Sequence, residues 1–179
     1  MNKLRLLSFL MTALLAMSGY AKSLVVEPAS TELGKSIDVP PVWLNKTIYP
    51  DGRGLPAGNG THQLGMVLYQ KHCVACHGDG GKGGSGGQLV APILPKDVWA
   101  KSPRPSKHVG QYWPYATTLF DYIRRAMPYQ APGSLSDNDV YSLVAYILAE
   151  QKIISNDFLV NAQTLPTIKM PNRESFIRK

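Results

Sequence analysis

Cys73-Val74-Ala75-Cys76-His77 is the stretch on which the reading of this sequence turns. Two thiols three positions apart on one helical turn can each add to a vinyl group of the same porphyrin. The histidine that follows at once is placed to give its imidazole to the iron, so the C-x-x-C-H spacing reads as covalent attachment of a haem c. The rival chemistries are weaker. A zinc site needs further well-spaced ligands, and these are the only two cysteines in the 179 residues. A thioredoxin-like redox pair needs a βαβ frame, whereas here a helical segment precedes and glycine follows. A disulfide across two intervening residues is strained as a structural element.

After His77 the chain runs Gly78-Asp79-Gly80-Gly81-Lys82-Gly83-Gly84-Ser85-Gly86-Gly87. It lacks the Gly-Lys-Ser/Thr ending of a phosphate-cradling loop. It reads as a flexible turn around the haem edge, in which glycine allows positive φ. Pro92, further on, has a carbonyl free to accept from the His77 ring, and such bonds orient ligand imidazoles.

A second axial ligand has to come from well downstream. Met127, 50 residues after His77 in Ala126-Met127-Pro128, is the candidate. Pro128 ends the preceding helix and leaves the methionine on a loop, where core packing explains it poorly. The other candidates read differently. Met66 suits core or haem-edge packing, and His62 an exposed or capping role at a helix start. His72, beside Cys73, cannot reach the far face. His108 reads as a surface residue and is the alternative distal ligand; Met170 lies in the tail. Imidazole plus thioether saturates the iron and raises its potential, which points to electron transfer rather than to binding a small molecule.

Three helices are expected around this site. Thr61 caps the first, whose apolar positions are Leu64, Val67 and Leu68 with Tyr69 flanking. Gly65 costs about 1 kcal/mol inside a helix relative to alanine, and close approach of another helix would explain it. A middle helix over roughly Thr117–Ala126 turns Leu119, Tyr122 and Ile123 toward the core. Its Arg125 either complements the helix dipole or neutralises a haem propionate. The last helix opens on a capping-box pattern, Ser136 with Asp139. It then carries Val140, Leu143, Val144, Ile147 and Leu148 as one stripe, with Tyr146 placed to lie across Gly65. Between the motif and the middle helix, Trp99, Tyr112, Trp113 and Tyr115 lie in a proline-studded stretch. They can wall the haem, Trp113 foremost, or pack a small core.

The ends carry different signals. Residues 1–21 read as a secretory signal: Lys3 and Arg5, an apolar run from Leu6 to Met17, then Gly19 and Ala21 before a cut. The apolar run is too short to span a bilayer, which takes about 20 residues. Loss of Lys3 and Arg5 lowers the net charge from +7 to +5. That charge reads as spread along the chain, without the basic cluster and interleaved aromatics of a nucleic-acid binder. Residues 22–60, rich in proline and glycine, and 151–179, with Pro166 and Pro171, read as irregular extensions. Yet Trp43, Leu44, Ile48, Tyr49, Ile153, Ile154, Phe158 and Leu159 are not residues of a disordered chain. Both ends are expected to wrap the haem domain of residues 61–150 and in part to contact a partner.

The order of these features over residues 61–150 resembles the class I c-type cytochromes. It runs from a helix with Gly65 and Tyr69 through C-x-x-C-H, a looped middle and Met127-Pro128 to a terminal helix with Leu143 and Tyr146. The resemblance implies an all-α fold, Cys73 and Cys76 as thioether sites, His77 and Met127 as axial ligands, and electron transfer through an exposed haem edge. A narrower likeness lies in Tyr112–Pro128, in Ala131-Pro132-Gly133-Ser134-Leu135-Ser136, and in the tail from Leu165-Pro166 to Arg173. These stretches are similar to the cytochrome subunits of sulfur-oxidising molybdenum enzymes, the sulfite dehydrogenases and the Sox sulfane dehydrogenase. That group implies a cytochrome taking electrons singly from a molybdenum subunit. The chain departs from the Sox subunit in having only one C-x-x-C-H, which reads as one haem c, and from the smallest sulfite dehydrogenase cytochromes in its longer ends. With the export signal, the expectation is a periplasmic protein that passes its electrons to a downstream cytochrome or oxidase. No molybdenum-binding chemistry is present in the chain, so substrate oxidation is expected on another chain. A general diffusible carrier is the alternative.

Overall fold

The computed structural model describes residues 46–175. The expected signal at 1–21 and most of the N-terminal extension, Trp43 and Leu44 included, lie outside these residues. Among these residues six α-helices follow one another: α1 His62–His72, α2 Val74–His77, α3 Lys96–Ala100, α4 Val109–Tyr112, α5 Ala116–Ala126 and α6 Asp137–Glu150. Two short strands, β1 Asn59–Gly60 and β2 Val160–Asn161, pair antiparallel and join the segment before α1 to the one after α6. The fold is the expected mostly helical one, with this small pairing added.

α6 is the axis of the molecule. The capping box forms as read: Ser136 Oγ accepts from the Asp139 amide while the Asp139 carboxylate accepts from the Ser136 amide. Beyond it every residue from Val140 to Ala149 is buried, so the helix is enclosed on all sides rather than along one stripe. α1 crosses it where Gly65 meets Ser142. A methyl group at Gly65 would overlap the Ser142 carbonyl and come 2.7 Å from Tyr146 Cβ, which is why the position holds glycine. The Tyr69 and Tyr146 rings stack beside this crossing with centroids 5.0 Å apart.

The buried face of α1 is therefore Gly65 and Tyr69; of the expected apolar positions Leu64, Val67 and Leu68, Leu68 alone packs against the core. Leu64 and Val67 are 46% and 60% exposed, and Met66, expected in the core or at the haem edge, is likewise turned outward. The physical reason is the close crossing: the helices meet at Gly65, so α1 turns the face carrying Gly65 and Tyr69 toward α6 and leaves Leu64 and Val67 away from it. His62 is neither exposed nor a cap; its Nε2 lies 3.3 Å from Glu150 at the end of α6. Thr61 does cap α1, accepting from the Leu64 amide. In α5, Leu119 and Ile123 are buried as expected, but Tyr122 is half exposed. Arg124 is buried and donates to Asp137 at 3.2 Å, tying α5 to the start of α6.

The chain beyond α6 is part of the same core. Val160, Leu165, Ile168 and Met170 are buried among the helices, Ile153, Ile154 and Phe158 pack against them, and Leu159 is turned outward. Asn172 donates to the Tyr112 carbonyl at 2.6 Å, holding the tail to α4. Ile48 packs against the core and Tyr49 lies at the surface with Arg53 over its ring.

Candidate haem site

α1 ends where Cys73 leaves helical geometry, and α2 begins at once. The Cys73 carbonyl accepts from the His77 amide at 2.9 Å, so the two cysteines and the histidine share one turn. Both thiols are free. Burial, and secondarily the neighbouring Cys76, pushes the Cys73 thiol up to about 11.

The glycine loop, expected as a flexible turn, is pinned back onto this motif. Gly83 and Gly86 donate to the carbonyls of His77 and Cys76 at 2.9 and 2.7 Å, and Leu89 and Val90 both donate to Gly81. Gly78 and Gly81 hold φ near +70°, a conformation that favours glycine. A Cβ at Gly86 would stand 3.0 Å from His77 Cε1, so the loop lies directly against the imidazole. His77 Nδ1 is 2.9 Å from the Gly87 carbonyl, which only a protonated Nδ1 can use. The Nε2 lone pair is then left for a metal. The expected partner for this ring was Pro92. The short pinned loop delivers Gly87 first, and the Pro92 carbonyl instead faces His108.

The motif opens on a cavity of about 510 Å³, within the roughly 300–1,000 Å³ typical of ligand sites. Its walls are mainly apolar: Leu89, Val109, Leu119, Ile123, Leu135, Leu143 and Ile147. Trp113 forms part of the wall, edge-on to Tyr122 at 5.5 Å. Tyr122 thus belongs to the cavity rather than to the core. Met127 reaches the same space as the cap of α5, extended ahead of Pro128 as a pre-proline residue should be.

Of the methionines and histidines weighed as ligands, His77, Met127 and His72 line the cavity; Met66, Met170, His62 and His108 do not. His108, expected at the surface, is 3% exposed and sits at the start of α4, away from the cavity wall. Burial there follows from the Val109–Leu89 backbone bond that draws its segment inward. His72 and Ser85 are polar lining residues to which sequence reasoning gave no part in the site; their only signal was nearness to the motif. Arg125 is absent from the lining and donates to Asp121 and to the Lys46 carbonyl. Trp99, Tyr112 and Tyr115 are likewise outside it.

Paired thiols, an imidazole with one nitrogen fixed by a carbonyl, a thioether and an apolar enclosure together fit haem c. Cys73 and Cys76 would hold the macrocycle, and the oriented Nε2 of His77 and the Met127 sulfur are the donors available to its iron.

Residues 60–147 match the family model described as cytochrome c oxidase, cbb3-type, subunit III. The thiosulfate dehydrogenase of Stutzerimonas stutzeri (strain A1501) is 33% identical over 98 residues, 54% of this chain and 30% of that protein. The thiosulfate dehydrogenase of Allochromatium vinosum is 31% identical over 109 residues, 56% of this chain and 37% of that protein. The chain thus spans about a third of the length of these curated relatives. The crystal structure of the sulfane dehydrogenase SoxCD from Paracoccus pantotrophus contains a chain that superposes with a TM-score of 0.70 at 30% identity, covering 83% of this chain and 72% of that one. With a C-x-x-C-H turn opening on an apolar cavity, and most of a sulfane dehydrogenase chain sharing its fold, this chain belongs to the c-type cytochromes.

Proposed function

We propose that the protein is a periplasmic cytochrome with one haem c that accepts single electrons from a sulfur-compound dehydrogenase and passes them to a downstream cytochrome or oxidase. One observation carries the reading: the cavity is lined both by the C-x-x-C-H turn and by Met127. Haem bound there supplies a one-electron iron couple. His77, oriented by Gly87, and Met127, held at the α5 cap, would supply the imidazole and thioether donors to its iron. An iron held by both would offer no site for substrate, which places the sulfur chemistry of this reading on another protein. The walls contributed by Leu119, Ile123, Leu143 and Ile147 exclude water and favour the less charged, reduced state.

The sulfur donor is supported by the likeness to the sulfane dehydrogenase and the thiosulfate dehydrogenases. We assign it to the molybdenum-containing class, with sulfite as the first substrate to test. Oxidation of sulfite releases two electrons, so the donor must deliver them in two single transfers. Periplasmic placement rests on the signal read in residues 1–21; no helix among the described residues is long and apolar enough to cross a membrane.

The test follows haem reduction in the purified cytochrome with a purified sulfite-oxidising molybdenum enzyme from the same periplasm. Rapid reduction on adding sulfite, and none without the enzyme, is expected. Direct reduction by thiosulfate alone, together with carbon monoxide binding to the native reduced protein, would replace the carrier reading with a haem enzyme. No reduction by an enzyme of proven activity would leave a general carrier.

A further inference from the structure

We propose that residues 93–107 form a docking surface for an acidic protein partner, set apart from the haem cavity. The segment carries Lys96, Lys101, Arg104 and Lys107 against the single acid Asp97. All four cations are exposed, and none forms an ion pair within the described residues. In sequence they look scattered. The fold closes the stretch into a lobe: Trp99 at the end of α3 donates its indole N–H to the Ser106 carbonyl at 2.8 Å, joining the two arms.

The lobe is fixed at its base. The Trp99 ring meets the Tyr112 ring at 6.3 Å, and Lys107 Nζ lies 5.6 Å from the centre of the Tyr112 ring. Gln111, buried in α4, both accepts from the Leu94 amide at 2.6 Å and donates to the Leu94 carbonyl at 3.2 Å, as a neighbouring strand would. A surface held in this way loses little conformational entropy on binding.

Its outer side is apolar as well as basic. Ile93, Leu94 and Val98 are 41%, 43% and 49% exposed. Apolar side chains among unpaired cations are the anatomy of a protein interface whose partner presents acids around an apolar centre. The net charge of +5 left once Lys3 and Arg5 are lost with the signal would steer such a partner in. An anionic membrane suits the lobe less well. α3 is a helix of five residues, too short for an amphipathic face, and the indole N–H that would sit among headgroups is used internally. No residue from 93 to 107 lines the haem cavity, so the surface can be altered without touching the cofactor walls.

The experiment uses the full-length haem-loaded protein and two fluorescent probes, polyglutamate and a glutamate–tyrosine copolymer, followed by anisotropy. One variant combines Lys96→Ser, Lys101→Ser, Arg104→Ser and Lys107→Ser. A control with the same charge loss combines Lys71→Ser, Lys82→Ser, Lys152→Ser and Lys169→Ser. Copolymer affinity should fall by about tenfold or more in the first and by less than about twofold in the control. The copolymer should bind wild type more tightly than polyglutamate does, and Ile93→Ser with Val98→Ser should abolish that advantage. An unchanged haem spectrum certifies folding in every variant. Equal losses in the two charge variants would overturn the proposal in favour of whole-surface attraction. Binding to vesicles containing anionic phospholipid that is lost only in the first variant, with copolymer affinity unmoved, would overturn it in favour of a membrane surface.

Discussion

The Tyr69 hydroxyl donates to the Gly78 carbonyl across 2.9 Å, linking the buried face of α1 to the residue that follows His77. The ring is fully buried, and burial above all holds its ionisation well above the usual tyrosine range, so the hydroxyl remains a donor. Tyr69→Phe keeps the ring and its stacking on Tyr146 and removes only the donor. A net hydrogen bond contributes about 0.5–1.5 kcal/mol, and a loss of that size is expected in denaturant unfolding of the haem-loaded protein. Unaltered stability would mean that the Gly78 carbonyl finds another donor.

Gly65→Ala sets two effects against each other. Alanine gains about 1 kcal/mol in helix propensity. Its methyl group would also overlap the Ser142 carbonyl and press on Tyr146, and forcing extra volume into a packed contact costs about 1–3 kcal/mol or more. Here the obstruction is helix backbone, which cannot swing aside, so packing wins and the variant is less stable than wild type. Gln70→Ala, on the exposed side of the same helix, supplies the control and should change stability by no more than about 0.5 kcal/mol. A Gly65→Ala protein as stable as wild type would show that α1 can move off α6.

Those two residues also mark what could be read from sequence. Cys73, Cys76, His77 and the Ser136–Asp139 box were legible because each is a local pattern whose spacing carries its own chemistry. That Met127 reaches the cavity was legible because Pro128 fixes its backbone. The crossing of α1 on α6 was legible in Gly65, whose cost inside a helix pointed to a close neighbour, and Tyr146 does lie against it; the outward turn of Leu64 and Val67 was not, because periodicity counts apolar side chains and the decisive contact belongs to a residue without one. The Gly87 carbonyl was missed in favour of Pro92 because loop geometry, not residue type, chooses which carbonyl reaches His77. Pairing of Gly60 with Val160 left no signal either, since strands of two residues have no alternation to read. Gln111 and Gln151 clamp extended backbone at Leu94 and Ala91, but an isolated glutamine in sequence looks like any surface residue.

Met127→Ala separates the assigned distal ligand from its rivals. Loss of the thioether should open a coordination position, lower the potential by on the order of 100 mV, and let carbon monoxide bind the reduced protein; axial ligation tunes haem potentials over about 0.8 V. Met66→Ala and Met170→Ala should leave the potential in place, although Met170, which is buried, should cost stability. A potential unmoved by Met127→Ala, together with no carbon monoxide binding, would show that the sulfur is not on the iron.

His108 gives the fold a pH dependence of its own. It is buried at the start of α4, and removal from water holds its proton affinity below the ordinary value of 6.5, with the Pro92 carbonyl and Gln151 opposing that shift in part. The folded protein therefore binds fewer protons here than the unfolded chain once the pH drops to about 6.5. Its contribution is level above that pH and declines as pH falls toward the depressed folded value, with a slope of at most about 1.4 kcal/mol per pH unit. Carboxylates add their own losses at lower pH, so the informative quantity is a difference. His108→Asn should be less stable than wild type at neutral pH, and its unfolding midpoint should fall less steeply between pH 6.5 and about 5. Parallel curves for the two proteins would place the proton elsewhere and show that the His108 site admits the charged form.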